Sequence, residues 1–357
     1  MFGPEAALAL GRWVKLIGGA SNQDLASIED LAGIYALAGV HCIDVAADAA
    51  VVAAARRGLR WAAERSPGCS PEAAPWLMVS LSDGADPHFR KAWFDPRHCP
   101  ADCPRPCERV CPAQAIPPAG AGGVLSQRCY GCGRCLPACP LGLIAERPHT
   151  LPPEAVAPLL AELAPDAVEL HTRLGRAAAF AARLDQVLAS GVPLRRLSVS
   201  CGLEREGGGD PPGPQELAAE LQERHRQLRR AGFRPLWQLD GRPMSGDVGA
   251  GTAHAAVRLL QRLAPHAPPG PLQLAGGTND RTLPLLERLG PAGDRACGVA
   301  FGSVARHRLQ PLLLEAEARG RRLLDLPDLL SEALEIAGAL VSPWLRRQHL
   351  SAFGPSG

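Results

Sequence analysis

Eight cysteines between residues 99 and 139 constrain this chain more than anything else in it. Cys99, Cys103, Cys107 and Cys111 recur at every fourth position, and Pro112 follows. Cys129, Cys132, Cys135 and Cys139 come next, and Pro140 follows. The second run reads C-x2-C-x2-C-x3-C-P, the spacing with which bacterial ferredoxins hold iron–sulfur clusters. Closely spaced thiolates wrap one face of a cubane, and in two-cluster ferredoxins the fourth ligand comes from the other run. The spacing therefore predicts two [4Fe-4S] clusters with exchanged ligands. Cluster one takes Cys99, Cys103, Cys107 and Cys139; cluster two takes Cys129, Cys132, Cys135 and Cys111. Pro112 and Pro140 fix the backbone where it leaves each cluster. Zinc and disulfides also use dense cysteines, but the second run is too specific for either. The first run departs from the rule: it is C-x3-C-x3-C-x3-C, with Pro100, Pro104 and Pro106 between ligands. The C-x3-C-x2-C spacing of radical chemistry on S-adenosylmethionine is absent from the sequence.

Cysteines committed to iron imply a reducing compartment, so the cytoplasm is expected. The other four, Cys42, Cys69, Cys201 and Cys297, read as core or loop thiols. A net charge of +2 argues against a general nucleic-acid surface. No apolar run reaches the ~18 residues of a membrane span. The stretch from Met1 to Trp13 lacks the basic start and cleavage site of a signal peptide.

With the cysteine region set aside, short β-like runs alternate with amphipathic helices, which implies a parallel sheet. Strands are expected at 14–17, 42–45, 76–81, 167–170, 197–200, 235–239, 272–275 and 298–301. Helices are expected at about 24–38, 48–65, 152–163, 176–190, 215–230, 252–264, 283–289, 304–319 and, as an extra, 327–346. Eight βα units close most simply into a (β/α)8 barrel, with an open doubly wound sheet as the alternative. The barrel is expected to take residues 1–84 and 150–357. Residues 95–145 form the ferredoxin-type insertion, in the third βα loop on the face where such barrels keep their sites.

Gly276-Gly277-Thr278 follows the seventh strand and Gly302-Ser303 the eighth. Barrels commonly bind phosphate with these two loops. A phosphate-bearing ligand such as flavin mononucleotide is one expectation; tight turns that merely need glycine are the other. Arg242, between Asp240 and Asp247, either clamps an anion or stiffens its own loop. Ser21, Asn22, Asp24, Asp44, Asp48, Asp83, Glu169 and His171 fall near strand ends, where they complete a polar ring or, for Ser21 and the acidic residues, simply cap the next helix. His171 is the best single candidate for acid/base work. Arg105, Arg109, Arg128 and Arg134 lie among the cysteines, where positive charge either solvates the loop or raises a cluster's potential.

Several blocks outside the cysteines carry a resemblance: 15–24, 40–48, 237–247 and 274–280. They read KLIGGASNQD, VHCIDVAAD, WQLDGRPMSGD and LAGGTND. With the cysteine module they make the chain similar, over nearly its full length, to the light-dependent period A family of cyanobacteria. The resemblance implies an iron–sulfur protein that feeds redox state, linked to the photosynthetic quinone pool, into the circadian clock. It also implies partners such as the input kinase CikA and KaiA. Two functions stay open on the residues: a redox sensor read by protein partners, and an oxidoreductase whose clusters relay electrons to a ligand in the barrel mouth. A plain electron carrier ranks third, because it has little need of so large a barrel.

Overall fold

The computed structural model describes residues 2–21, 24–66, 68, 70–118, 123–207, 210, 212–242, 249 and 251–348. Asn22, Cys69 and the stretch from Pro243 to Asp247 lie outside the described residues.

A short helix, α1 (Pro4–Ala9), precedes β1 (Trp13–Gly19), α2 (Leu25–Ala38), β2 (Cys42–Ala46), α3 (Ala49–Glu64) and β3 (Trp76–Ser82). The insertion follows, with β4 (Arg90–Trp93), α4 (Pro106–Arg109), α5 (Cys135–Ala138) and β5 (Ala145–Pro148). The alternation resumes with α6 (Pro153–Leu163), β6 (Ala167–His171), α7 (Ala177–Ala189), β7 (Arg196–Gly202), α8 (Pro214–Arg230) and β8 (Pro235–Asp240). It ends with α9 (Ala253–Leu263), β9 (Leu272–Ala275), α10 (Thr282–Glu287), β10 (Ala296–Phe301), α11 (Ser303–Ala318) and α12 (Pro327–Leu345). Eight strands, all parallel, close in the order β1-β10-β9-β8-β7-β6-β3-β2, and β1 pairs with both β10 and β2. The fold is a (β/α)8 barrel, as the alternation predicts. Among the described residues no helix is long and apolar enough to cross a membrane.

Local chemistry sets the helix ends. Asp24 accepts a hydrogen bond from Ala26 N at 3.2 Å and caps α2, and Gly39 ends it in the left-handed region at φ 99°. Asp48 does the same for α3 through Ala50 N at 2.9 Å. Each strand buries one face against the helices and the other inside the barrel, so the strands read as nearly continuous buried runs.

The barrel interior is divided. At its floor Trp13, Cys42, Trp76, Met78, Ala167 and Leu236 pack together, and Leu8 of α1 covers them. Arg347, beyond α12, donates to the carbonyls of Gly11, Ala296 and Gly293 at 2.8–3.0 Å, tying the chain's two ends across this closed face. Toward the C-terminal ends of the strands the filling turns polar, and the insertion sits over that end. The one-turn helices α4 and α5, helix α1 and the β4–β5 ribbon have no counterpart in the sequence reading. Helix α1 is only six residues long. The antiparallel β4–β5 ribbon is four residues a strand, with charged residues paired next to each other, so it shows no clear period of two. It clasps the base of the insertion: Arg90 pairs with Glu146 at 3.2 Å, and the Arg147 guanidinium lies over the Trp93 ring.

Candidate functional site

In the insertion the cysteines gather in two sets. Cys111, Cys129, Cys132 and Cys135 line one cavity, together with Ala115, Ile116 and Tyr130. The thiolates acting on Cys132 are Cys111 and Cys129; those acting on Cys135 are Cys129, Cys132 and Cys111. Burial, then this crowding, pushes the Cys135 thiol up to about 12. The other set is Cys99, Cys103, Cys107 and Cys139. Cys99 feels Cys103 and Cys139, and Cys107 feels Cys139 and Cys99. Phe94, Ile116 and Ile144 pack with Cys107 of this set and Cys135 of the other.

This arrangement suits iron–sulfur ligation. Four thiols crowded together cannot all ionise unless a metal core neutralises them. Backbone N–H groups already point at sulfur. Ala115 N donates to Cys111 Sγ at 3.2 Å. At Cys139 burial is outweighed by the N–H groups of Leu143, Leu141, Ile144 and Gly142, which hold the thiol below its ordinary range. Such donors tune a cluster's potential. The first run, one residue longer at each of two steps, still shares a backbone feature with the second. Gly133, two residues before Cys135, has φ 78°, and Arg105, two residues before Cys107, takes φ 47°. The same left-handed turn thus precedes both helix-borne cysteines, although one position lacks glycine's freedom.

The module is locked to the barrel. Arg134 pairs with Asp24 at 2.9 Å and reaches Glu317 of α11 at 3.6 Å. Tyr130 packs into the barrel's own core. Ser21 Oγ donates to the His88 carbonyl at 2.8 Å. A cavity of about 50 Å³ lies where the two meet, lined by residues that include Ala46, Ser80, Ser82, Lys91, Tyr130 and His149.

Beneath it runs a buried network. Lys15 of β1 is fully buried; its Nζ donates to Asp44 Oδ2 of β2 at 2.9 Å and pairs with Glu169 Oε2 of β6. Burial by itself disfavours the Lys15 cation, but Asp44 and Glu169 outweigh it and hold the ammonium well above its usual range. Ser80 donates to Asp44 at 2.7 Å and Ser198 to Glu169 at 3.0 Å. Gln238 bridges Glu169 at 2.8 Å and Asp240 at 3.2 Å, and Gln273 donates to Gln238 at 2.6 Å. At the rim His171 Nε2 lies 3.2 Å from Glu169 Oε1. Burial lowers the His171 pKa, yet Glu169, Asp86 and Asp240 raise it to about 9. Burial raises Asp240 to about 6, with Glu169 adding to it.

The glycines after the last two barrel strands have packing reasons of their own. A Cβ on Gly276 would meet Arg242 backbone at 2.6 Å, and one on Gly277 would meet Thr252 at 3.0 Å; both residues have positive φ. The Thr278 hydroxyl is spent on the Ala300 carbonyl. Gly302 precedes α11, where a Cβ would make only ordinary contacts with Arg306 at 3.6 Å and Ile17 at 3.7 Å, and Ser303 is that helix's first residue. The mouth cavity is lined by a different set, from the ends of β1, β2 and β3 and from the module. Sequence reasoning passed over Lys15, Ser80, Asp86, His88, Gln238 and Gln273. A lysine on the inward period of an otherwise apolar strand was the available signal.

The relatives of this chain settle its family. The profile of the Light dependent period A C-terminal domain matches residues 159–343, and that of the LdpA Fe-S cluster-binding domain matches residues 99–150. Light dependent period A of Synechococcus elongatus is 47% identical over 345 residues, 95% of this chain and 93% of that protein. The chain belongs to the light-dependent period A family. It is an iron–sulfur protein, with its cluster-binding domain at the barrel mouth. The C-terminal family domain holds five of the eight barrel strands, so the barrel closes only with β1, β2 and β3 from the other side of the insertion. Solved structures with a similar course include hydroxymethylglutaryl-CoA lyase from Pseudomonas aeruginosa, 12% identical, covering 96% of each chain at a TM-score of 0.42. Pyruvate carboxylase from Rhizobium etli is 12% identical at a TM-score of 0.45; all of this chain matches 30% of that one. Neither likeness carries an argument about function.

Proposed function

We propose that this family member is a redox sensor: two [4Fe-4S] clusters read cellular redox poise, and protein partners of the circadian clock read the protein. The observation that supports it most is the pairing of two four-cysteine sets with a module locked to the barrel. Bound clusters supply one-electron oxidation and reduction. The chain's own residues hold the sulfurs, donate N–H groups to them and couple them to the barrel surface. Arg134 is the coupling element: it lies in the second cysteine run and pairs with the α2 cap and with α11. A change of one charge beside it alters how firmly those helices hold the module. The partners proposed are clock components such as the input kinase CikA and KaiA, acting in the cytoplasm, with quinone as a further ligand. Anaerobically prepared protein is expected to hold about eight iron and eight sulfide per chain. Calorimetry of each partner against oxidised and reduced protein is expected to differ at least ~5-fold in affinity, the lower end of ordinary coupling energies. Equal affinities in the two states would remove the sensor reading while leaving the clusters in place.

The ionisable network favours a second reading, an oxidoreductase with a flavin or other phosphate-bearing ligand at Gly276, Gly277, Thr278, Gly302, Ser303 and Arg242. A barrel floor filled by apolar side chains needs no buried lysine above it, and charged groups at a barrel's C-terminal end are where catalysis is found. Calorimetry with flavin mononucleotide, other nucleotides and phosphate tests it. Millimolar-range binding or better, lost in Gly277→Val at unchanged iron content, supports a ligand there. No heat with intact protein means the glycines serve packing alone.

A further inference from the structure

We propose that Asp86, His88 and His171 form a binding site for a divalent transition-metal ion at the barrel mouth, separate from the iron–sulfur cysteines. One ligand atom from each of the three lies within 4.8 Å of the others. His88 Nδ1 is 2.8 Å from Asp86 Oδ1, and His171 Nδ1 is 3.9 Å from Asp86 Oδ2. The two imidazoles thus converge on one carboxylate, their ring centres 5.5 Å apart.

The surroundings resemble a built site. The other nitrogen of His171, Nε2, faces Glu169 Oε1 at 3.2 Å. Glu169 is fully buried and is itself held by Lys15, Ser198 and Gln238. A carboxylate behind a histidine fixes its ring; on the other side, Nδ1 faces the Ser200 hydroxyl at 3.5 Å and Asp86 Oδ2 at 3.9 Å. The loop that carries Asp86 and His88 is also fixed. Arg176 pairs with Asp83 at 3.1 Å and donates to the Ala85 carbonyl at 2.8 Å, and Asp86 Oδ1 accepts from His88 N at 2.7 Å. Asp86 is buried, His171 is nearly so, and His88 is 38% exposed, so the ion would be gripped from below and open to water above.

The donor set selects the metal. Two imidazoles and one carboxylate suit zinc, cobalt, iron(II) or manganese with further positions open; magnesium and calcium prefer oxygen alone. This inference does not rest on the sensor reading, and neither one's failure removes the other.

The test uses the full, cluster-loaded chain without a polyhistidine tag, kept anaerobic, with cobalt(II) as the probe. Calorimetry and metal analysis after gel filtration are expected to find one cobalt per chain beyond the cluster iron, not displaced by excess magnesium. His88→Ala, at the exposed side of the site, is expected to weaken cobalt binding by more than the roughly 10–100-fold that loss of an outer-shell partner costs, with iron and sulfide unchanged. Asp86→Asn serves as the second variant with the same expectation. No retained cobalt in the parent protein, or equal retention in parent and His88→Ala, would overturn the site.

Discussion

Cys111→Ser is expected to change the electron paramagnetic resonance signal of the cluster on Cys129, Cys132 and Cys135, and to leave the other signal near its parent form. Cys111 follows Cys107 in the chain but lines the cavity of the second set. A serine oxygen there replaces one thiolate of that set, so the cluster loses its native ligand field or loses iron. Cys139→Ser is the mirror experiment, because Cys139 acts on Cys99 and Cys107 although it closes the second run. The expected pattern is a crossed one, with each substitution disturbing the cluster of the opposite run. Disturbance confined to the run that carries the substitution would mean that each run ligates its own cluster, and the exchanged arrangement would fall.

Lys15→Met is expected to lower the stability of the cluster-loaded protein by about 3–5 kcal/mol, the cost of leaving buried charge without its partner. Methionine nearly keeps the volume, so the loss reports charge more than cavity. Asp44 and Glu169 are both buried and share the one ammonium. Adding Asp44→Asn and Glu169→Gln to Lys15→Met is expected to recover part of the loss, since the ammonium and the two carboxylates that share it are then gone together. Denaturant unfolding, followed by far-ultraviolet circular dichroism under anaerobic conditions, measures both. By contrast, removing the exposed Arg226–Glu223 pair on α8 is expected to leave the midpoint where it is. A Lys15→Met protein as stable as its parent would mean that the interior does not hold these groups as ions.

Much of this was legible in the chain. The eight barrel strands lie where β-like runs alternate with helical ones, and Asp24, Gly39 and Asp48 mark helix ends that the structure keeps. The polar residues at strand ends did foreshadow the mouth: Asp44, Glu169 and His171 all join the network there. The ribbon β4–β5 was hidden because strands of four residues, each with two charged residues side by side, carry no period of two. Glycines at 276 and 277 were ambiguous for another reason. A glycine that makes room for a phosphate and one that makes room for a neighbouring backbone read alike, and the structure supplies that neighbour in Arg242 and Thr252.

The sequence by itself determined what depends on neighbours along the chain. Thiolate spacing names the cofactor class, hydrophobic period names the elements, and the count of eight names the barrel. Tertiary structure alone decided which distant groups meet. Lys15, Asp44 and Glu169 come from three strands, and Asp86 and His171 from either side of the whole cysteine module. Lys15 has neither of its partners in its own segment. Only barrel closure removes water from them and sets opposite charges a few ångströms apart, and that distance fixes their ionisation and their chemistry.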